Sequence, residues 1–168
     1  VSTKLFDKLK FYLPTGPKRP RTSTIIVHCA DTLATMNTSA ADVNVWHTTE
    51  RGFAAIGYHL FIKRDGTLEG GRALDVIGAH AAGHNLTSVG VCLAGGKKKT
   101  PKGAPAEPEN NFTPEQWVTL KAVIVGLRAK YPLTQAPGAV KGHRDLPRVA
   151  KYCPSFDVKT WLKEAGLA

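Results

Sequence analysis

Residues 24–29 read TIIVHC: four β-branched side chains in six positions, ending in a histidine and a cysteine. A run this short and apolar predicts a strand buried on both faces, the setting of a sheet covered by helices. Such a strand needs neighbours, and three other stretches can supply them. SVGVCLAGG (88–96) is again apolar on both sides and closes in a glycine pair. GYHLFIKRDGTLEGG (57–71) reads as a hairpin, with Asp65-Gly66 offering the positive-φ turn between two strand-like arms. AVKGH (139–143) is a short strand ending at His143.

The helical signals lie between these runs. In SAADVNVWHTTERG, Ser39 can cap a helix on which Val43, Trp46 and His47 share a face, and Gly52 ends it. FTPEQWVTLKAVIVGLRAKYP opens with Thr113 as N-cap, Pro114 in the first turn and Gln116 completing a capping box. Trp117, Leu120, Ile124, Leu127 and Tyr131 then make one apolar stripe at spacings of three and four, which is core. SFDVKTWLKEAG predicts a closing helix capped by Ser155. Residues 97–111, KKKTPKGAPAEPENN, read as an exposed loop. The fold class is therefore α/β: a single mixed-sheet domain of about four to six strands flanked by helices, over residues 23–168.

Residues 1–22 read as a basic N-terminal extension. TKLFDKLKFYL suits a short amphipathic helix with Leu5, Leu9 and Tyr12 on one side, stopped by PTGPKRP. Six lysines and arginines against one aspartate give this segment half of the chain's formal charge of +10. Such a balance points to an anionic partner. For the extension the readings are contact with an anionic outer-membrane or wall surface, or a solubilising tail. VSTKLFDKLKFYLP has neither an unbroken apolar core nor a small-residue cleavage site, so no secretory signal is expected. No apolar run approaches the ~20 residues of a membrane span. Three cysteines cannot all pair within the chain, which leaves a thiol free to ligate a metal or fill the core.

Six histidines narrow the question of function. His28 ends an otherwise apolar strand, where an unpaired imidazole costs a few kcal/mol unless something binds it. His143 closes a second strand, and Cys153 follows ten residues later on a proline-bounded loop. Two histidines and a thiolate would make an open zinc site, with a fourth position for water. The bare spacing equally allows a core histidine, a surface histidine and a buried thiol.

Five segments in order, IIVHCADT, GYHLFIKRDGTLEGGR, GAHAAGHNLTSVGVCLAGG, NFTPEQ and KGHRDLPRVAKYCPSFD, resemble the zinc-dependent N-acetylmuramoyl-L-alanine amidases of the phage lysozyme and peptidoglycan-recognition superfamily. The resemblance runs over about residues 23–166. It implies one Zn2+ held by His28, His143 and Cys153, a catalytic Tyr58 and Lys151, and His80 as a substrate contact in the cleft. The implied reaction is hydrolysis of the amide between N-acetylmuramic acid and L-alanine of the stem peptide, in peptidoglycan of the diaminopimelate type. His59, opposite Tyr58 on its strand, is expected to pack, and Cys29 and Cys92 to be buried thiols beside the site.

The resemblance further implies an endolysin of bacteriophage, made in the host cytoplasm and acting on periplasmic peptidoglycan after release, and nothing demands more than a monomer. Small podophage members also restrain the phage RNA polymerase. This chain departs from that pattern in its long basic N-terminus and its enlarged 97–111 loop, so polymerase binding is not carried over with the rest. A recognition module that holds stem peptides without cutting them is the main alternative, and the Cys153 ligand favours the enzyme. Zinc deaminases would need HxE with PCxxC, which HCAD and YCPSF do not match.

Overall fold

The computed structural model describes residues 3–168; Val1 and Ser2, the first two residues of the extension, lie outside the described residues. Its centre is a five-stranded sheet built from β1 (Thr24–Cys29), β3 (Leu60–Ile62), β4 (Leu68–Gly70), β5 (Ser88–Leu93) and β7 (Val140–Gly142), in the order β4-β3-β5-β1-β7. All neighbours are parallel except the β3–β4 hairpin. Two short strands, β2 (Thr32–Leu33) and β6 (Gly96–Lys97), pair beside it.

Strand alternation then sorts the side chains. Ile25 and Val27 of β1, Val89, Val91 and Leu93 of β5, and Leu60 and Ile62 of β3 face a core completed by α2 (Pro114–Lys130) and α3 (Val158–Glu164). The register sets His28 beside Cys92 and Ile26 beside Gly90, and Cys92 beside Phe61, so these face the other way. That second face is covered by α1 (Ala40–Glu50) and by the loops after β4 and β7. The site is on this side.

The turns and caps follow local chemistry. Gly66 has φ +85, and the Asp65 carboxylate accepts from the Thr67 N–H at 2.9 Å, which closes the hairpin. Ser39 caps α1, with Asp42 completing its box. Thr113 caps α2, and the buried Gln116 also donates through Nε2 to the carbonyls of Ala94 (2.8 Å) and Ile62 (3.2 Å), pinning the helix to two strand ends.

Two local expectations are corrected. The cap of α3 is Asp157, whose carboxylate accepts from Thr160 N–H at 2.6 Å. Ser155 is buried instead, with its hydroxyl donated to the Gly96 carbonyl at 2.7 Å. The start of the chain forms only a 3-10 turn, Thr3–Phe6, in place of an amphipathic α-helix. Phe6 is the residue it buries, whereas Leu5 and Tyr12 are exposed.

The remainder of the extension lies along the domain. Tyr12 N–H donates to the Gly71 carbonyl at 2.8 Å, and Phe6 packs against α2 beside Gly126. Arg19 is 9% exposed, and its guanidinium donates to the carbonyls of Leu74 and Val76 and to the Thr22 hydroxyl. One of the six cations expected to face a partner is thus part of the interior.

Residues 97–111 are exposed but held: Lys98 N–H donates to the Glu107 carbonyl at 2.9 Å, and the Lys98 ammonium pairs with the Glu107 carboxylate at 2.6 Å. Among the described residues no helix is long and apolar enough to cross a membrane.

Candidate metal centre and cleft

His28, His143 and Cys153 converge, with one donor atom of each within 4.8 Å of the other two. β1 delivers His28 to the C-terminal end of the parallel strands. β7, paired with β1, delivers His143 on the 3-10 turn His143–Asp145 that begins where the strand stops. Asp145 holds that turn by accepting from the Gly142 N–H at 2.8 Å. Arg144 N–H then donates to the Cys153 carbonyl at 2.8 Å, tying the thiol's loop to the histidine's turn. Gly142 is needed there: a Cβ on it would sit 2.8 Å from Cδ of Pro154.

Each donor is prepared by its surroundings. Burial, then the nearby His80, His143 and Lys151, hold His28 well below the ordinary histidine range, so its imidazole is neutral. Burial followed by Lys151 also lowers His143. Contact with the Cys29 thiol, then burial, push the Cys153 thiol up, so it stays protonated until a cation binds it. His28 Nδ1 lies 3.8 Å from Cys153 Sγ. Zinc with bonds of about 2.0–2.3 Å sets tetrahedral donors roughly 3.3–3.8 Å apart, so two imidazoles and a thiolate here fit that ion with small closing movements.

Two of these donors, His143 and Cys153, sit on the wall of a cleft of about 490 Å³, lined also by Tyr58, His80 and Lys151, and the buried His28 lies against that wall. Five of the six residues placed at the site from sequence line this cleft, and the sixth, His28, is buried against Tyr58, His143 and Cys153. Tyr58 stacks tilted over His28 with ring centroids 5.0 Å apart. Burial keeps its phenol well above the ordinary range, so it is an O–H donor at neutral pH. Lys151 is exposed at the rim, two residues from Cys153. Cys29 and Cys92 are buried thiols beside the site, as expected.

The cleft contains more than the sequence reading placed there. Val43, Trp46, His47 and Glu50 of α1, with Arg51 just past its end, also line it. Their signal in the sequence is the spacing 43, 46, 47, 50 on one helix face, which by itself predicts only packing. His47 fixes the backbone just before Tyr58, because its Nδ1 accepts from the Gly57 N–H at 2.9 Å. Burial lowers it to about 4, so that lone pair is available at neutral pH. His59 packs as expected: its Nδ1 accepts from Gly90 N–H at 3.0 Å, which leaves Nε2 to donate to the Val76 carbonyl at 2.7 Å. Arg19 shares that carbonyl.

On the other side of His28 from Cys153 is a further set of contacts. His28 Nε2 is 2.9 Å from His80 Nδ1, and His80 Nε2 is 3.3 Å from the Ser88 hydroxyl, which donates to the His84 carbonyl at 2.7 Å.

Comparison with known proteins bears on the family and the fold. Residues 18–156 match the family model for N-acetylmuramoyl-L-alanine amidase. An endolysin of Klebsiella phage KP32 is 46% identical over 151 residues, covering 89% of this chain and 91% of the relative. An endolysin of Escherichia phage T7 is 41% identical over 151 residues, with the same coverage of 89% and 91%. The solved N-acetylmuramoyl-L-alanine amidase endolysin LysCS from Clostridium intestinale URNW shares the fold at a TM-score of 0.70, with 23% identity over 95% of this chain and 97% of that one. On its own sequence and with its five-stranded mixed sheet, the chain belongs to the N-acetylmuramoyl-L-alanine amidase family.

Proposed function

We propose that this member of the amidase family is an endolysin that hydrolyses the amide between N-acetylmuramic acid and L-alanine in peptidoglycan, with one zinc ion held by His28, His143 and Cys153. The observation that carries the reading is the meeting of two neutral imidazoles and a thiol at the cleft that Tyr58 and Lys151 line, with His143 and Cys153 on its wall and His28 buried against them. Zinc in that position supplies Lewis acidity, which activates water and polarises an amide carbonyl.

The chain's own groups do the rest. Lys151 brings a positive charge to the rim, and Tyr58 brings an O–H that burial keeps protonated. In this reading both donate to the oxygen that gains charge as the carbonyl becomes tetrahedral, worth about 3–4 kcal/mol for one well-aimed donor. Tyr58 is also the group that can pass a proton to the leaving amine. His47, by holding Gly57, keeps Tyr58 in register with the cleft. The substrate is stem peptide of the diaminopimelate type, met at the wall after release from the host cytoplasm. The exposed Lys8, Lys10 and Lys18 remain available to an anionic surface, while Arg19 is not.

The test is digestion of purified diaminopimelate-type peptidoglycan, with and without EDTA, read by mass spectrometry of the soluble products. Stem peptides beginning at L-alanine are expected, lost with EDTA and restored by Zn2+. Intact peptidoglycan in the presence of protein with bound zinc would leave a recognition module in place of an enzyme.

A further inference from the structure

We propose that His80 is a positioning residue: with Ser88 and the His84 carbonyl it fixes the tautomer and ring orientation of His28, so that Nδ1 of His28 is the atom offered to the metal. The proposal rests on the metal centre described above and assigns work to residues outside the three donors.

The Ser88 side chain is fully buried, and its hydroxyl has a close acceptor in the His84 carbonyl at 2.7 Å. Having given its proton there, the Ser88 oxygen can only accept from its other neighbour, His80 Nε2 at 3.3 Å. His80 is then an Nε2–H tautomer, and its Nδ1 carries a lone pair. That lone pair is 2.9 Å from His28 Nε2, so the proton of His28 belongs on Nε2. The remaining nitrogen, Nδ1, is unprotonated and is the one turned toward Cys153 Sγ, 3.8 Å away. A backbone carbonyl at one end thus dictates, through one hydroxyl and one imidazole, which nitrogen of His28 is free to bind. Metal-bound histidines generally have such an outer partner; here it is a second histidine.

The fold has made room for this ring and for little else. A Cβ on Gly90 would come within 2.6–2.8 Å of three ring atoms of His80, and one on Gly78 within 2.6 Å of its Cδ2. His80 therefore lies flat on bare backbone. Its edge is met by His59 at a centroid distance of 5.6 Å, and its backbone N–H donates to the Asn85 side chain at 3.0 Å. His59 is itself held by Gly90 N–H and by the carbonyl it shares with Arg19, so the ring cannot rotate away without moving several buried groups.

The test compares His80→Gln, which keeps an acceptor for His28, with His80→Leu, which removes it at similar bulk. Zn2+ affinity is measured by chelator competition and the site's geometry by the absorption spectrum of the Co2+-loaded protein, on the full chain, with thermal unfolding of the metal-free protein as the control for folding. Leu at position 80 is expected to weaken Zn2+ about 10–100-fold and to alter the Co2+ spectrum, and Gln to recover most of both. Ser88→Ala should shift affinity the same way by less. Wild-type affinity and spectrum in His80→Leu would overturn the proposal, and so would equal losses in Leu and Gln variants, since bulk alone would then be what His28 needs. Failure of the unaltered chain to bind Zn2+ or Co2+ would remove the metal centre itself, and this proposal with it.

Discussion

The backbone N–H of Cys29 donates to Sγ of Cys153 at 3.3 Å, joining two residues that are 124 positions apart. The bond comes from the last residue of β1, one place beyond His28, so a single strand end carries one donor and steadies another. An N–H directed at sulfur favours the thiolate. Replacing Cys153 by Ser puts a shorter, harder and far less acidic atom in that place. Cys153→Ser is expected to lose most bound zinc and most amidase activity; elemental analysis of the purified variant, with product analysis, checks it. A full zinc complement with unchanged turnover would refute the ligand assignment.

Lys151 and Tyr58 should separate from the ligands in their effect. Lys151→Ala and Tyr58→Phe each remove a donor without touching His28, His143 or Cys153. Zinc content should stay as in the unaltered protein while turnover falls roughly 10²–10³-fold in each. Retained rate in Lys151→Ala would make this exposed side chain a surface lysine and nothing more.

Arg19 divides the extension's charge into two kinds. Its guanidinium donates to two carbonyls and a hydroxyl in a buried setting, so Arg19→Met leaves acceptors without partners. A loss of about 3 kcal/mol is expected by urea unfolding. Lys8→Gln and Lys10→Gln, on exposed positions, should stay within about 0.5 kcal/mol of the parent. If all three cost the same, the segment would not be held in the way described.

Acid should destabilise the metal-free protein through its buried histidines. His59 is lowered to about 3 by burial and then by Arg19, against 6.5 in an unfolded chain. His28 and His80 are lowered well below that value by burial first. A depressed histidine contributes stability that is present above pH 6.5 and is lost as pH falls toward its folded value, because the unfolded state takes up the proton first. Each can contribute a slope of up to about 1.4 kcal/mol per pH unit in that window. Unfolding in EDTA should therefore show stability falling steadily from pH 6.5 to pH 4.5. A flat or rising profile would mean that these rings are solvated.

Much of the fold was legible because its signals are local. The Asp65-Gly66 turn, the Ser39 cap, the Thr113 box, and the β-branched run at 24–29 each depend on a few adjacent residues and formed where expected. Local reading failed where a competing long-range partner existed. Ser155 is a good cap by type, yet its hydroxyl was taken by the Gly96 carbonyl and the cap passed to Asp157. Residues 3–12 have an amphipathic spacing, but Phe6 found α2 and Tyr12 found Gly71, and an extended path replaced the helix.

The same division holds for the site. By itself the sequence determined the elements, their caps, the two-sided burial of β1, and, through five ordered segments, the resemblance that singled out Tyr58, His80, Lys151 and the three donors. The residue types alone left His28, His143 and Cys153 open between ligands and bystanders. Only the tertiary structure decided that they meet, because parallel pairing of β1 with β7 brings distant strand ends to one edge of the sheet, and no short-range signal encodes that pairing. It alone also showed that His80 backs His28 and that Arg19 is interior, since a side chain's hydrogen-bond partners across the fold are fixed by the space left between packed elements and not by its neighbours in the chain.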